Sequence, residues 1–175
     1  MRGKGVSTQP VPLITPTPEQ VTVRLATSED VPQILRLVNH HARLGQLLPR
    51  SAKSVYDTID DWLVAIAGDE VLGCVSLLRY TSGLVEVRSL AVAEAAQGMG
   101  IGSHLMQALL KEAQKRKIPT LFALTRAVTF FQRFDFAITE RAFFPEKVWH
   151  DCQQCPLLDN CDETAVVLHL PATEY

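Results

Sequence analysis

Gln97, Gly98, Met99, Gly100, Ile101 and Gly102 place three glycines at alternate positions, and Ser103 follows them. Glycine lets a backbone turn tightly and lets a ligand approach it closely. A β-rich stretch, residues 84–92, precedes the glycines. After them, residues 101–116 carry Leu105, Met106, Leu109, Leu110 and Ala113 at helical spacing. A turn that opens a helix aims successive N–H groups at one point, and the helix dipole favours an anion there. The chemistry this suits is the grip of a pyrophosphate. Two other phosphate loops fit less well. A Walker A loop needs a lysine after its last glycine, and the dinucleotide fingerprint needs G-x-G-x-x-G rather than G-x-G-x-G. The rival reading is a glycine-rich turn that only connects two packed elements.

Three cysteines form a second constellation. Cys152-x-x-Cys155, with Cys161 beyond, is a partial metal-ligand pattern, and His150 or Asp151 is near enough in sequence to complete a zinc tetrahedron. The same pair could form a redox disulfide. The third reading is a purely structural group of free thiols. Cys74 sits in an apolar strand and reads as a small buried hydrophobe.

Alternation and turn residues place the remaining elements. A strand at 22–26 leads to a helix capped by Thr27 or Ser28, with Glu29 and Asp30 in its first turn. That helix ends near Leu44-Gly45, where His40 and His41 read as a solvated pair. Ser51 caps a shorter helix. Strands follow at 62–67, 71–79 and 84–92, then the glycine turn and the long helix. A strand at 120–124, a short helix at 128–134 and strands at 136–139 and 165–170 complete the order βααβββαβαββ. The expected fold is α/β (α+β mixed): a mostly antiparallel sheet of six or seven strands with helices on both faces.

The 175 residues, 47% of them hydrophobic, suffice for one domain with a full core. Residues 1–20, rich in proline, read as a flexible tail, and residues 21–175 as a single domain ending in a cysteine-containing segment, 147–164. A net charge of −2 carries no electrostatic footprint for nucleic acid. No apolar run approaches the roughly 18 residues of a membrane span, and the N-terminus lacks a signal peptide's apolar core. A cytoplasmic protein is expected.

The element order, with Q-x-x-G-x-G between the fourth strand and a long helix, resembles the GNAT superfamily of acyl-CoA-dependent N-acetyltransferases. Within it the chain is most similar to the acetyltransferase domain of N-acetylglutamate synthases, in a short, stand-alone form. The matching pieces are Gly45-Gln46-Leu47-Leu48-Pro49-Arg50-Ser51, Glu86-Val87-Arg88-Ser89-Leu90-Ala91-Val92, Leu121-Phe122-Ala123-Leu124-Thr125 and Phe130-Phe131-Gln132-Arg133. The resemblance implies acetyl-CoA as co-substrate, its pyrophosphate on the N–H groups of residues 97–102, with the Ser103 hydroxyl near them. The pantetheine arm would pair with backbone groups of Leu90, Ala91 and Val92, and a backbone N–H near Leu90 would polarise the thioester carbonyl. The acceptor amine would attack directly. An α-amino group is mostly protonated at neutral pH, so a base is needed; Glu86 is the candidate. On a regular strand Glu86 and Arg88 share a face about 7 Å apart, which suits the charges of a small amino acid. Arg50 would clamp a carboxylate through two parallel hydrogen bonds. Thr125 is a further acceptor-side residue, and Arg126 and Arg133 are weaker candidates.

Two departures qualify the likeness. Phe131 stands where many members carry a thiolate-protonating tyrosine, and Asp135 replaces a glycine of the usual left-handed turn. The C-terminal Arg/Ser/Lys strand that helps larger synthases hold glutamate is replaced by the cysteine segment. The acceptor is therefore an amino acid, with glutamate first; a different amine and a non-catalytic acyl-CoA sensor are the alternatives. By analogy with the family, a homodimer would pair through the C-terminal strand, taken as a sheet edge.

Overall fold

In a computed structural model of the chain, residues 16–144 and 161–172 are described. Seven strands form one sheet in the order β1-β2-β3-β4-β5-β7-β6. They are β1 (Thr22–Leu25), β2 (Trp62–Ala67), β3 (Glu70–Arg79), β4 (Val85–Val92), β5 (Thr120–Thr125), β6 (Ala137–Thr139) and β7 (Thr164–His169). The helices are α1 (Val31–Arg43), α2 (Ala52–Asp57), α3 (Ile101–Lys115) and α4 (Val128–Gln132). Every neighbouring pair is antiparallel except β4–β5. The expected fold class and element order stand as read from the sequence.

The middle strands are apolar throughout because both sheet faces are covered. On β2, Leu63 and Ala65 join a core with Leu105, Met106 and Leu109 of α3, while Trp62 and Val64 join a second core with Ile34, Leu37 and Val38 of α1 and Val55 of α2. Neighbouring side chains of a strand point to opposite faces, so α3 lies on one face and α1 with α2 on the other. Close packing fixes Gly73: a Cβ there would stand 2.9 Å from Leu105 Cδ1 and 3.1 Å from the Ala91 carbonyl.

Two irregularities shape the molecule. The parallel β4–β5 pairing spans only Val85↔Leu121 and Glu86↔Phe122, so the strands diverge beyond Glu86. On the other side of β4, Cys74 faces Ala91 while Ser76 faces Arg88, leaving Ser89 and Leu90 together opposite Val75. This is a β-bulge, with Ser89 at φ +56°. Val85 and Val87 face the α3 core before it; after it Leu90 and Val92 pack there and Ala91 joins the other core. One extra residue has exchanged the faces of β4. Glu86 and Arg88 precede the bulge, so their expected common face is kept.

Two expectations need correction. The C-terminal strand β7 lies between β5 and β6 and pairs with both. It is no sheet edge, because the chain returns through β6 to cover it; the outer strands are β1 and β6. His40 and His41 are not a solvated pair. His41 is buried, since it lies on the α1 face that meets the sheet. Of residues 1–20 only 16–20 are described, where Pro18–Gln20 form a 3₁₀ turn capped by Thr17 and Gln20. No helix among the described residues is long and apolar enough to cross a membrane.

Candidate active site

A cleft of about 970 Å³ opens where β4 and β5 diverge. Its walls bring together residues far apart in sequence. Arg50 comes from the loop after α1, Glu86 and Arg88 with Leu90, Ala91 and Val92 from β4, Gln97 and Gly102 from the glycine turn, and Thr125 from the end of β5. Phe130 and Phe131 of α4 and Cys161 and Glu163 before β7 close the opposite side.

In the glycine turn, Gly98 and Gly100 adopt φ +81° and +77°, the left-handed region that favours glycine. Gly100 is the N-cap of α3 and offers no side-chain hydrogen bond. The first N–H groups of a helix have no partner inside it, so those of Ile101, Gly102 and Ser103 form an anion-binding end. The side chains here serve other purposes. Ile101 is buried against Gly73 and Met99 packs on the core. Gly98, Met99, Gly100, Ile101 and Ser103 are not among the cleft-lining residues; the turn meets the cleft through Gln97 and Gly102.

The bulge orients backbone groups in the middle of the cleft. Ser76 Oγ donates to the Arg88 carbonyl at 3.2 Å, and Cys74 Sγ donates to the Ser89 carbonyl at 3.5 Å. All peptides are trans among the described residues. The Leu90 N–H shares a peptide plane with the Ser89 carbonyl and therefore points the opposite way, away from β3. Burial pushes the Cys74 thiol up to about 12, so it stays protonated and keeps donating. Cys74 is fully buried, as its apolar strand implied.

At the acceptor end, Glu86 is 2% exposed and accepts a hydrogen bond from Tyr80 Oη at 2.7 Å. Buried to this degree, Glu86 is not half of an exposed surface ion pair. The Tyr80 ring lies 5.7 Å from Phe122, which stacks on Phe144 at 4.3 Å. The Nε atoms of Arg50 and Arg88 are buried as well. Asn39 of α1 holds Arg50 by its backbone: Arg50 N–H donates to Asn39 Oδ1 at 3.0 Å, and Asn39 Nδ2 donates to the Arg50 carbonyl at 3.2 Å. Ser51 caps α2 immediately afterwards, accepting from the Ser54 N–H.

Thr125 Oγ1 accepts from the Ala127 N–H at 2.8 Å, leaving its own proton to be donated elsewhere. Arg126 pairs with Asp162 at 2.7 Å. Arg133 is exposed, with its guanidinium 5.3 Å from the centre of the Phe130 ring. Phe131 is buried edge-to-face against Phe130 and Phe136, where a tyrosine hydroxyl was missed in the sequence. Asp135 takes φ +67°, the left-handed conformation expected of its position.

Among the described residues no group of three His, Cys, Asp or Glu side chains could hold a metal ion. Cys161 faces the cleft, while Cys152 and Cys155, with His150 and Asp151, lie outside the described residues. Sequence reasoning missed Tyr80, Asn39 and Gln46 and misread His41. Tyr80, Asn39 and His41 carry no motif, and Gln46 lies in the matched 45–51 stretch without a role of its own there; each acts through a contact made only in the folded chain.

Comparison with known proteins agrees with this geometry. Residues 35–136 match the acetyltransferase (GNAT) family. An uncharacterized N-acetyltransferase of Chlorobaculum tepidum is 36% identical over 145 residues, covering 83% of this chain and 94% of that protein. An amino-acid acetyltransferase of Mycobacterium tuberculosis is 35% identical over 122 residues, covering 67% of this chain and 69% of its own length. The crystal structure of N-acetylglutamate synthase from Neisseria gonorrhoeae, complexed with coenzyme A and N-acetyl-glutamate, superposes with a TM-score of 0.76 at 25% identity. That match covers 86% of this chain and 35% of the synthase. With the glycine turn, the diverging β4 and β5 and these matches in agreement, the chain belongs to the GNAT family and is an acetyl-CoA-dependent N-acetyltransferase.

Proposed function

We propose that the acceptor is the α-amino group of an amino acid, glutamate first, and that Glu86 is the general base. One observation carries this reading: the cleft gathers Arg50 and Arg88 with the buried Glu86 carboxylate beside the point where β4 and β5 part. Guanidinium groups suit a carboxylate, and a carboxylate base suits an ammonium that must lose a proton before it attacks. The names of the mycobacterial and gonococcal relatives point to the same acceptor class.

In this reading the α3 amino end and the glycine turn hold the pyrophosphate, and β4 residues 90–92 face the pantetheine arm. Arg50 and Arg88 orient the acceptor's carboxylate. Glu86, held by Tyr80, takes a proton from the ammonium, and the freed nitrogen lone pair then attacks the thioester carbon. The Leu90 N–H stabilises the oxygen on which charge develops. The carbon–sulfur bond then breaks and the electron pair leaves on sulfur. A thiol of ordinary pKa, about 8.5, leaves readily as the thiolate; the Thr125 hydroxyl donates a hydrogen bond to it, and the proton it takes up comes through water from the nitrogen of the collapsing intermediate. The absence of a tyrosine at Phe131 is consistent with a leaving group that needs little acid assistance.

The test is steady-state release of CoA with acetyl-CoA and a panel of amino acids. Glutamate should give the highest kcat/KM, and Glu86→Gln should lower it by about 10²- to 10⁴-fold. Unchanged turnover of Glu86→Gln between pH 6 and 9 would remove Glu86 from this role. Transfer only to amines lacking a carboxylate would remove the amino-acid acceptor.

A further inference from the structure

Outside the groups that face the reacting atoms, one buried side chain touches both halves of the cleft. His41, 4% exposed in the last turns of α1, places Nε2 2.9 Å from the Val92 carbonyl and Nδ1 2.6 Å from the Gln46 side-chain amide. A carbonyl only accepts, so Nε2 carries a proton. Nδ1 faces Gln46 Oε1, and the Gln46 amide can turn to present its NH₂ group to Nδ1 instead, so the contact is made by either end of the amide. Gln97 Nε2 donates to the same Val92 carbonyl at 3.3 Å. Gln46, His41, Val92 and Gln97 all line the cleft.

We infer that His41 is a positioning residue that ties the acceptor loop to the coenzyme strand. This inference rests on the reading in which residues 45–50 hold the acceptor and residues 90–102 hold acetyl-CoA. The chain of contacts runs from the loop through Gln46 and His41 to Val92, and from Val92 to Gln97 at the start of the glycine turn. Val92's two acceptor positions are both engaged by protein donors. The Val92 carbonyl is thereby taken up by protein donors and serves as the tether. Residues 43–46 are exposed, and Gly45 takes φ +74°. Such a segment opens easily unless something outside it holds it. His41 and Gln46 supply one hold, and Asn39 on Arg50 supplies an independent one. Occupation of the coenzyme site, by settling Gln97 and Val92, therefore settles the loop that receives the second substrate.

The experiment follows amide hydrogen exchange at residues 46–48 and 50, with and without saturating CoA, alongside calorimetric CoA affinity. In the unaltered protein CoA should slow this exchange by at least about fivefold, the low end of ordinary site-to-site coupling. His41→Leu and Gln46→Ala should bind CoA and lose the response; Gln46 is exposed, so its substitution leaves the core intact. Asn39→Ala should exchange faster in both states yet keep the response. A response retained by His41→Leu and Gln46→Ala, absent from the unaltered protein, or lost equally in Asn39→Ala overturns the tether. Failure of the unaltered protein to bind CoA overturns the coenzyme reading along with it.

Discussion

Cys74 lies in the middle of β3 and looks like packing, yet its thiol holds the Ser89 carbonyl and thereby sets the direction of the Leu90 N–H. A net hydrogen bond of this kind is worth about 0.5–1.5 kcal/mol. If the bond acts on the developing oxyanion, Cys74→Ala should lower kcat by about 3- to 10-fold while the KM for acetyl-CoA changes little; initial-rate kinetics decide it. The thiol itself is no nucleophile. With its pKa pushed up to about 12 and its surface buried, Cys74 should stay unlabelled by iodoacetamide at pH 8 until the protein unfolds, as peptide mass spectrometry would show. Sequence patterning revealed the burial of Cys74, because its neighbours are apolar. It could not reveal the bond, which depends on a bulge in a strand fifteen residues away.

The elements are held in register by a few polar fastenings. Arg24 of β1 grips Asp30 through two bonds, at 2.7 and 3.0 Å, while Asp30 accepts from the Thr27 N–H at 2.8 Å. The Arg24 guanidinium, through its hydrogen bond, and then the Thr27 amide hold the Asp30 carboxyl below its ordinary range. A carboxylate whose folded pKa is depressed stabilises the fold above its unfolded pKa, about 3.9, and loses that contribution as pH falls towards the lower folded value. Asp30→Asn should therefore cost about 0.2–1 kcal/mol at pH 7 and progressively less as pH falls below about 3.9, measured by urea unfolding across that range. On the other face, α3 lies so close to β3 that Gly73→Ala would press a methyl into Leu105 and the Ala91 carbonyl. Overpacking of this kind costs about 1–3 kcal/mol. Thermal unfolding should show Gly73→Ala melting several degrees lower.

At the scale of the whole molecule, the cleft exists because a parallel pair sits inside an otherwise antiparallel sheet. A crossover through α3 delivers β5 beside β4, and the two separate after two residue pairs. The volume so opened, about 970 Å³, falls within the range of small-molecule sites. Ligand that binds only the folded state stabilises it by mass action, about 2.7 kcal/mol at a hundred times Kd. Acetyl-CoA at that excess should raise Tm by roughly 5–10 °C for a domain of this size. Scanning calorimetry checks this, and no shift would contradict the coenzyme assignment. Pairing of two copies through β7 is closed off because β5 and β6 occupy both its edges.

What the residues alone determined were the features written in local order. The glycine spacing, the helical periodicity after it and the alternation of the strands gave the element order and the glycine turn that opens α3, since each depends on neighbours a few positions apart. The partnership of Arg50, Glu86 and Arg88 was readable only through family resemblance. The folded chain alone decided that Glu86 is buried on Tyr80, that His41 reaches Val92 across 51 positions, that a bulge exchanges the faces of β4, and that β7 is interior. Such contacts join segments distant in sequence, and their partners are chosen by packing and register, which no local pattern encodes.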